Sequence, residues 1–499
     1  MPDLIAIDEL LEDIEKARAD KDTPPWVSVL LRTVLLLVSA LQARTAELEA
    51  RNEQLTRQIY GRRSERSKTR SKQPRQRSKQ ARKKPEPRKG TSALDETEME
   101  EREEVHEVPQ ADKCCELCGG TAFDELEVTE DSTVYKYVPA KLVRVRHRRR
   151  KCRCRNGCTL VTAPPPPAVL RGGRFDASLY AAIMVSRSFD AMPLHRQAEA
   201  FARAGFPLSA STICDLFHTG AEVLRPLYAV MLDEVRRADV VKADETPQPV
   251  LADGKTRRSY VWTFVTDTHT AFVHSASRSG ETPRKLLEDT HGVLLADGYS
   301  GYNKVEGPDS RTRAGCMAHA RRKFVDAESQ APDDVMWIIQ RIGDLYAIER
   351  QAAELGVAGT VEHLKIRQQT SALILEDIRE WLATKKDEAR PKSQFGKALG
   401  YLDKQMQRLT VFLTDPRVPL DNNEAERALR RIALARKSSF FVGYDASGQR
   451  YAIVLSFVVS CRQHGVDAAA YLTDVLPRLP QTAPEDLPAL LPNRWAAAD

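Results

Sequence analysis

The chain has 499 residues, of which 42% are hydrophobic and 29% charged, and a net charge of +6, which together allow about three globular domains. The acidic first residues do not resemble a signal peptide. The apolar run at 26–41 is short for a membrane span and contains Arg32. Six of the nine cysteines stand in two tight clusters, which favours metal binding over a disulfide framework. We therefore expect a cytoplasmic protein with no membrane partner.

The N-terminal segment carries a heptad pattern. Apolar residues recur at alternating steps of four and three from Val27 to Ile59, which predicts a leucine-zipper coiled coil and a homodimer. An antiparallel helical hairpin within one chain would show the same stripe. The zipper leads directly into "RQIYGRRSER", so dimerisation would place two basic segments side by side, as a DNA-binding fork requires. The residues of this arm that we expect to contact DNA are Arg57, Tyr60, Arg62, Arg63 and Arg66.

Charge is sorted into blocks after the zipper. Residues 61–90 hold 14 Lys and Arg against 2 acids, whereas 91–130 hold 14 acids against 2 basic residues. A second basic run at 141–155 carries nine Lys and Arg. Such blocks favour a polyanionic partner, most simply DNA, although a solvated, disordered linker would explain the first block equally well. The residues of the second run that we expect to contact DNA are Arg148 and Arg149.

The two cysteine clusters predict a small zinc-binding module. Cys115 and Cys118 form a CxxC pair followed by two glycines that give freedom for a tight turn. Tetrahedral zinc requires two more thiolates, and the second cluster offers three candidates. We favour Cys154 and Cys158, with Cys152 as the substitute.

The next segment has a helical pattern. Part of it reads "PLHRQAEAFARAGFPLSASTICDLFH". This pattern predicts a helix, a turn near Gly205, a Ser/Thr cap and a second helix, which is the order of elements in a helix-turn-helix motif. Ser209, Ser211 and Thr212 would head the second helix near phosphates or bases. Many helix pairs share this pattern without contacting DNA.

Residues 240–304 change to strand patterns. Three strands joined by short turns, then a helix and a buried apolar strand, predict the opening of an RNase H-like α/β fold in which the first and fourth strands are neighbours. Asp244 on the first and Asp297 at the end of the fourth would then meet. Two facing carboxylates repel unless a cation lies between them, and two Mg²⁺ ions about 4 Å apart can drive phosphoryl transfer. Such a site needs a third carboxylate.

Candidates for the third carboxylate lie in the segment "DNNEAERALRRIALARKSS" (421–439). Asp421 and Glu424 fit a capping-box spacing, which makes Asp421 a helix start and Glu424 a capping or surface residue. Glu424 and Glu426 lie on the two edges of the apolar face, and physics alone leaves both as candidates. The basic residues that follow are expected to line DNA phosphates, with a solvated helix face as the alternative. They are Arg427, Arg430, Arg431, Arg436 and Lys437.

Six motifs in the right order carry a family resemblance. They are "QIYGRRSER" (58–66), "ADET" (243–246), "LLADGYSGYN" (294–303), "CMAHARRKF" (316–324), "DNNEAERALR" (421–430) and "YLTDVL" (471–476). Together they closely resemble the insertion-sequence-66 family of bacterial DDE transposases. The resemblance implies Asp244, Asp297 and Glu426 as the three acids, and two Mg²⁺ or Mn²⁺ ions as cofactors. Cys316 and His319 match a CxxH element whose role, zinc, DNA contact or packing, stays open.

The resemblance implies that the protein cuts transposon ends and joins the freed 3′-hydroxyls to target DNA, with accessory transposition proteins as possible partners. A silent transposon-derived DNA-binding regulator and a nuclease without strand transfer are the alternatives. The predicted segments are the zipper (1–60), a flexible linker (61–110), the zinc module (111–165), a helix-turn-helix-like domain (166–236), the first part of the core (237–320), a helical insertion (321–418), the third-acid helix (419–460) and a helical tail (461–499).

Overall fold

The computed structural model describes residues 143–153, 160–252, 254–307, 310–439 and 441–496. The predicted zipper, its basic arm and the charged linker lie outside the described residues. So do four proposed zinc ligands, namely Cys115, Cys118, Cys154 and Cys158. Cys152 is described and is an exposed free thiol.

A short antiparallel hairpin precedes the main fold. Strand β1 (Lys151–Arg153) pairs with β2 (Leu160–Thr162). Beside this hairpin, the Arg149 Nε donates a hydrogen bond to the carbonyl of Ala163 at 2.7 Å, and the Arg148 side chain is exposed. Arg148 is therefore the freer of these two predicted DNA contacts.

Three helices follow, with the turn and the cap at the predicted positions. They are α1 (Ala177–Ser188), α2 (Leu194–Arg203) and α3 (Ala210–Arg237). Gly205 has a φ of 80°, a left-handed conformation that glycine adopts without steric cost. The Ser209 hydroxyl accepts from the Thr212 N–H at 3.0 Å and so caps α3. The helix–turn–helix geometry of α2 and α3 thus follows from local signals.

A five-stranded mixed sheet with the order β5-β4-β3-β6-β7 forms the centre of the fold. Strands β3, β4 and β5 are antiparallel neighbours, whereas β6 and β7 run parallel to β3. The predicted adjacency of the first and fourth strands is confirmed. The bounds are β3 (Val240–Ala252), β4 (Lys255–Val265), β5 (Thr270–Ser275), helix α4 (Glu281–Leu287), β6 (Val293–Ala296) and β7 (Thr312–Gly315).

Both faces of the sheet are covered, which explains why the four residues of β6 are all apolar. Val293 and Leu295 face one hydrophobic core, and Leu294 and Ala296 face the other. The first of these cores is shared with a helical region between β7 and residue 413. Its helices are α5 (Met317–Val325), α6 (Pro332–Glu354), α7 (Val361–Ile366), α8 (Ala372–Glu388) and α9 (Gln394–Leu409), with a π-helical segment at Arg367–Ser371.

The second core lies under the C-terminal helices, which return to the sheet after the helical region. They are α10 (Asn423–Ser438), α11 (Asp445–Gln463) and α12 (Ala468–Arg478), followed by a 3₁₀ segment at Pro484–Leu490. Helix α10 packs on β3 through buried residues that include Leu429 and Ile432. The described fold is therefore a layered α/β structure. None of its helices in the described ranges combines the length and apolarity needed to cross a membrane.

Candidate metal centre

Asp244 and Asp297 come level with each other on neighbouring parallel strands. The register pairs Val240 with Val293 and Lys242 with Leu295, and two more residues along each strand lead to the two aspartates. Each carboxylate is oriented by a nearby backbone donor. The Glu245 N–H donates to Asp244 Oδ1 at 2.8 Å, and the Tyr299 N–H donates to Asp297 Oδ1 at 2.9 Å. Asp244 is the fifth residue of β3 and Asp297 directly follows the end of β6, and these contacts hold both acids in defined positions.

Glu426 reaches the same edge of the sheet because its helix is tied to strand β3. The amide Nδ2 of Asn422 donates to the carbonyl of Ala243 at 2.7 Å, and Asn422 is fully buried. Glu426 lies in the first turn of α10, directly after this tie. Asn422 is thus a positioning residue that the sequence reasoning missed, because an Asn before a helix usually signals only a local cap.

Asp421 and Glu424 have separate structural roles. Asp421 accepts the Asn423 N–H at 3.0 Å and the Tyr346 hydroxyl at 2.7 Å, which is consistent with its predicted place at the helix start. Glu424 makes no cap, so that alternative is wrong. Its half-exposed carboxylate instead pairs with the buried Lys242 Nζ at 2.7 Å. A buried ammonium must be neutralised, and this pair also fastens α10 to β3.

Four carboxylates concentrate negative charge where β3 passes the end of β6, namely those of Asp244, Glu245, Asp297 and Glu426. Burial, followed by the charges of Glu245, Asp297 and Glu426, raises the pKa of Asp244 to about 7. Glu245 is itself one source of this negative field. Its nearly inaccessible carboxylate pairs with Arg278 and accepts the Tyr302 hydroxyl at 2.7 Å. An ionised Asp244 is therefore costly unless a cation is present.

The motif after Asp297 packs tightly against this edge. A β-carbon on Gly301 would overlap the ring of Tyr299, so the chain needs glycine there. Arg313, which the sequence reasoning missed, donates to the carbonyl of Asp297 and lies over the Tyr302 ring at 4.6 Å. Its burial lowers the pKa of the guanidinium to about 10. These contacts fix the backbone that carries Asp297.

Glu426 also faces a second group of polar side chains. Arg322 Nη2 lies 3.2 Å from its Oε2, and His319 Nδ1 lies 3.5 Å from its Oε1. The ligand atoms of Cys316, His319 and Glu426 all lie within 4.8 Å of one another. Among the described residues, these three form a group of side chains close enough together to hold a metal ion. Asp244 and Asp297 are not part of that close group, although both acids and Glu426 share one electrostatic field.

The basic residues of α10 divide into two sets. Arg431 donates to the carbonyl of Phe189 at 3.2 Å and stacks on its ring, and Arg436 donates to Thr246 Oγ1 at 3.0 Å. Burial lowers the pKa of both guanidinium groups. The remaining three have exposed side chains that point away from the protein interior. They are Arg427, Arg430 and Lys437.

The donor set suits a hard divalent cation. Asp244, Asp297 and Glu426 offer carboxylate oxygens, which Mg²⁺ and Mn²⁺ prefer. Burial and the charges of Glu245, Asp297 and Glu426 raise the pKa of Asp244, and a bound cation would favour its ionised form. The residues that are present therefore fit such an ion.

Comparisons with known proteins agree with these motifs. The family model "Transposase IS66 family" matches residues 172–450, "IS66 C-terminal element" matches 456–493, and "zinc-finger binding domain of transposase IS66" matches 112–156. The chain is similar to "Uncharacterized protein y4hP" of Sinorhizobium fredii, with 30% identity over 426 residues, 80% of this chain and 76% of that protein. It is also similar to "Uncharacterized protein y4jD" of the same organism, with 31% identity over 408 residues, 77% and 78% of the two chains. The chain therefore belongs to the IS66 family of transposases.

Proposed function

We propose that the protein is a DDE transposase that cuts DNA at transposon ends and transfers the freed 3′-hydroxyls to target DNA. One observation carries the proposal. Asp244 and Asp297 stand level on parallel neighbouring strands, while Asn422 ties the helix of Glu426 to the residue beside Asp244. The strand order and the parallel β3–β6 pair also support an RNase H-like core.

Asp244, Asp297 and Glu426 are the residues that would hold two Mg²⁺ or Mn²⁺ ions. Bound there, divalent ions supply Lewis acidity that activates a water or a 3′-hydroxyl and stabilises the leaving oxygen. The protein contributes the orientation of the carboxylates through the N–H groups of Glu245 and Tyr299. Because the site is preorganised in this way, little reorganisation is needed when a phosphodiester arrives.

Arg322 has a separate part in this proposal. Its guanidinium contacts Glu426 Oε2 and is more than half exposed. A guanidinium beside the acids can pair with a scissile phosphate, which bidentate Arg geometry favours. We propose that Arg322 releases Glu426 when DNA binds and then contacts the backbone phosphate.

DNA binding would be shared by several surfaces. On α10, the exposed Arg427, Arg430 and Lys437 continue from Glu426 and would follow the phosphate backbone. Arg431 and Arg436 would contribute less, because they are held by protein carbonyl and hydroxyl groups. The N-terminal basic arm, joined as a dimer by the zipper, would recognise the transposon ends.

The zinc module would support end recognition. The family match at 112–156 includes Cys115, Cys118, Cys152 and Cys154 and stops before Cys158. Cys115 and Cys118 with Cys154 and Cys158 stay our proposed ligands, and Cys152 stays the substitute for one of the last two. Tetrahedral Cys₄ coordination would hold a module too small to build its own core.

A cleavage and strand-transfer assay on DNA that carries the transposon ends, with Mg²⁺ or Mn²⁺, tests the proposal. We expect Asp244→Asn, Asp297→Asn and Glu426→Gln to abolish both steps. Glu424→Gln, two residues from Glu426, is the matched control and should retain activity. An inactive Glu424→Gln beside an active Glu426→Gln would overturn the third assignment. Cleavage without joining would favour a nuclease, and binding without cleavage a silent regulator.

A further inference from the structure

Cys316, His319 and Glu426 meet where two helices begin. Cys316 precedes the first residue of α5, His319 lies in the first turn of α5, and Glu426 lies in the first turn of α10. The Met317 N–H donates to the carbonyl of Leu420 at 2.9 Å, which holds the two helix starts together. We infer that these three side chains form a zinc site, separate from the cysteine module and from the carboxylate pair on the sheet.

The spacing of the ligand atoms matches tetrahedral coordination. Zinc binds His nitrogen and carboxylate oxygen at about 2.0–2.1 Å, so two such ligands at a tetrahedral angle are about 3.3 Å apart. His319 Nδ1 and Glu426 Oε1 are 3.5 Å apart. One ligand atom each of Cys316, His319 and Glu426 lies within 4.8 Å of the other two, and the Zn–S bond, at about 2.3 Å, is the longest of the three bonds. A modest closure of the three groups would complete the coordination.

Hydrogen bonding within the protein accounts for only one of the three groups, because the Cys316 sulfur accepts the Asn422 N–H at 3.2 Å. His319 Nδ1 and Glu426 Oε1 are both buried and lack a hydrogen-bond partner. Their separation of 3.5 Å is too long for a normal N–H···O bond. Buried polar atoms without partners are costly, and in native structures a bound water or ion commonly satisfies them. A zinc ion satisfies both atoms together with the thiolate.

The chemistry of the ligands favours zinc over magnesium. Thiolate and imidazole are soft or borderline donors that Mg²⁺ binds poorly, whereas zinc accepts a Cys–His–carboxylate set. Burial raises the pKa of the Cys316 thiol to about 11, so the metal-free sulfur is a neutral thiol that zinc would deprotonate. The side chains of His319 and Glu426 are 19% and 25% exposed, and we expect water to complete the coordination as the fourth ligand.

Glu426 can serve this site without the proposed catalytic role. Its Oε2 is contacted by Arg322, whereas its Oε1 faces His319. The zinc inference therefore rests on the local geometry alone and survives if Glu426 is not a catalytic acid. If Glu426 does act in catalysis, zinc and the catalytic metal share one carboxylate.

The test is the zinc content of the full-length protein after incubation with zinc chloride and removal of free metal, measured by inductively coupled plasma mass spectrometry. We expect Cys316→Ser and His319→Gln each to carry one zinc per chain less than wild type. His319→Cys, which restores a zinc ligand, should recover it. Cys461→Ser replaces a buried thiol outside the cluster and should match wild type. Unchanged zinc in folded Cys316→Ser and His319→Gln would overturn the inference.

A second measurement covers variants that fail to fold. In the full-length chain with Cys115→Ser and Cys118→Ser, we expect added Co²⁺ to give a thiolate-to-cobalt charge-transfer band and tetrahedral d–d absorption. The band should disappear when Cys316→Ser is added and persist with Cys461→Ser. A cobalt spectrum without any thiolate band in the chain that retains Cys316 would equally overturn the zinc site.

Discussion

Replacing Asp244 with asparagine should stabilise the metal-free protein while removing its activity. The amide is nearly isosteric, and its oxygen can still accept the Glu245 N–H that now donates to Asp244 Oδ1. The amide carries no charge, so it avoids burial of an anion beside Glu245, Asp297 and Glu426. Sites that bind metal through crowded carboxylates lower stability in this way when no metal is bound.

The size of the effect follows from the pKa. A rise from 3.8 to about 7 corresponds to about 4 kcal/mol at 1.36 kcal/mol per pKa unit. Because the pKa is raised in the folded state, stability is lost as the pH rises from 3.8 through about 7. The gain from Asp244→Asn should be about 4 kcal/mol at pH 8 and about 2 kcal/mol at pH 5. With about 2.1 cal/mol/K of unfolding entropy per residue over the 499 residues, about 4 kcal/mol raises Tm by about 4 °C.

Thermal denaturation in EDTA at pH 5 and pH 8 measures this directly. We expect Asp244→Asn to melt above wild type, with the larger difference at pH 8. Added Mg²⁺ should raise the Tm of wild type and have little effect on the variant, because the ion offsets the unfavourable burial of the Asp244 carboxylate, which the variant lacks. An Asp244→Asn protein that melts below wild type at pH 8 in EDTA would refute the reasoning.

Further predictions concern the contacts of α10 with the sheet and with DNA. Asn422→Ala should cost about 1–3 kcal/mol in the free energy of unfolding, because it leaves a buried carbonyl unpaired, and should lower kcat more than it changes KM. Glu424→Gln should cost about 1–3 kcal/mol in urea unfolding, because the buried Lys242 ammonium then keeps the exposed and more distant Asp267 carboxylate, at 3.9 Å, as its partner. Lys242→Met should restore stability when combined with it. Arg427→Ala with Arg430→Ala should reduce the slope of log affinity against log salt by about 2 in a DNA titration, and an unchanged slope would remove them from the phosphate path.

The meeting of Asp244 and Asp297 was predictable because the order of local elements, three strands, a helix and a fourth strand, indicated an RNase H-like arrangement in which the first and fourth strands are neighbours. Three strands joined by short turns must be antiparallel neighbours, and a helix before the fourth strand returns the chain parallel to the first. The all-apolar β6 likewise indicates a strand covered on both faces. These features depend on residues close together in sequence, where periodicity and turn chemistry determine the outcome.

The contacts that orient the third acid were not predictable in this way. Asn422 reaches the Ala243 carbonyl across 179 residues of sequence, and Glu424 reaches Lys242 across 182. Such pairs depend on the path of the chain through the helical region between β7 and α10, which brings α10 back to the sheet. Spacing alone made Glu424 a cap candidate, whereas the burial of Lys242, a tertiary property, decides its partner.

The central claim is that the acids contact the catalytic metals directly, and a metal-rescue experiment tests it. Asp297→Cys replaces a hard oxygen ligand with sulfur, which Mg²⁺ avoids and softer Mn²⁺ accepts better. We predict that Asp297→Cys neither cuts nor joins transposon-end DNA with Mg²⁺ and regains both activities with Mn²⁺. Asp297→Ala, which offers no ligand, should stay inactive with either ion. Full activity of Asp297→Cys with Mg²⁺, or equal rescue of Asp297→Ala by Mn²⁺, would contradict the proposed metal centre.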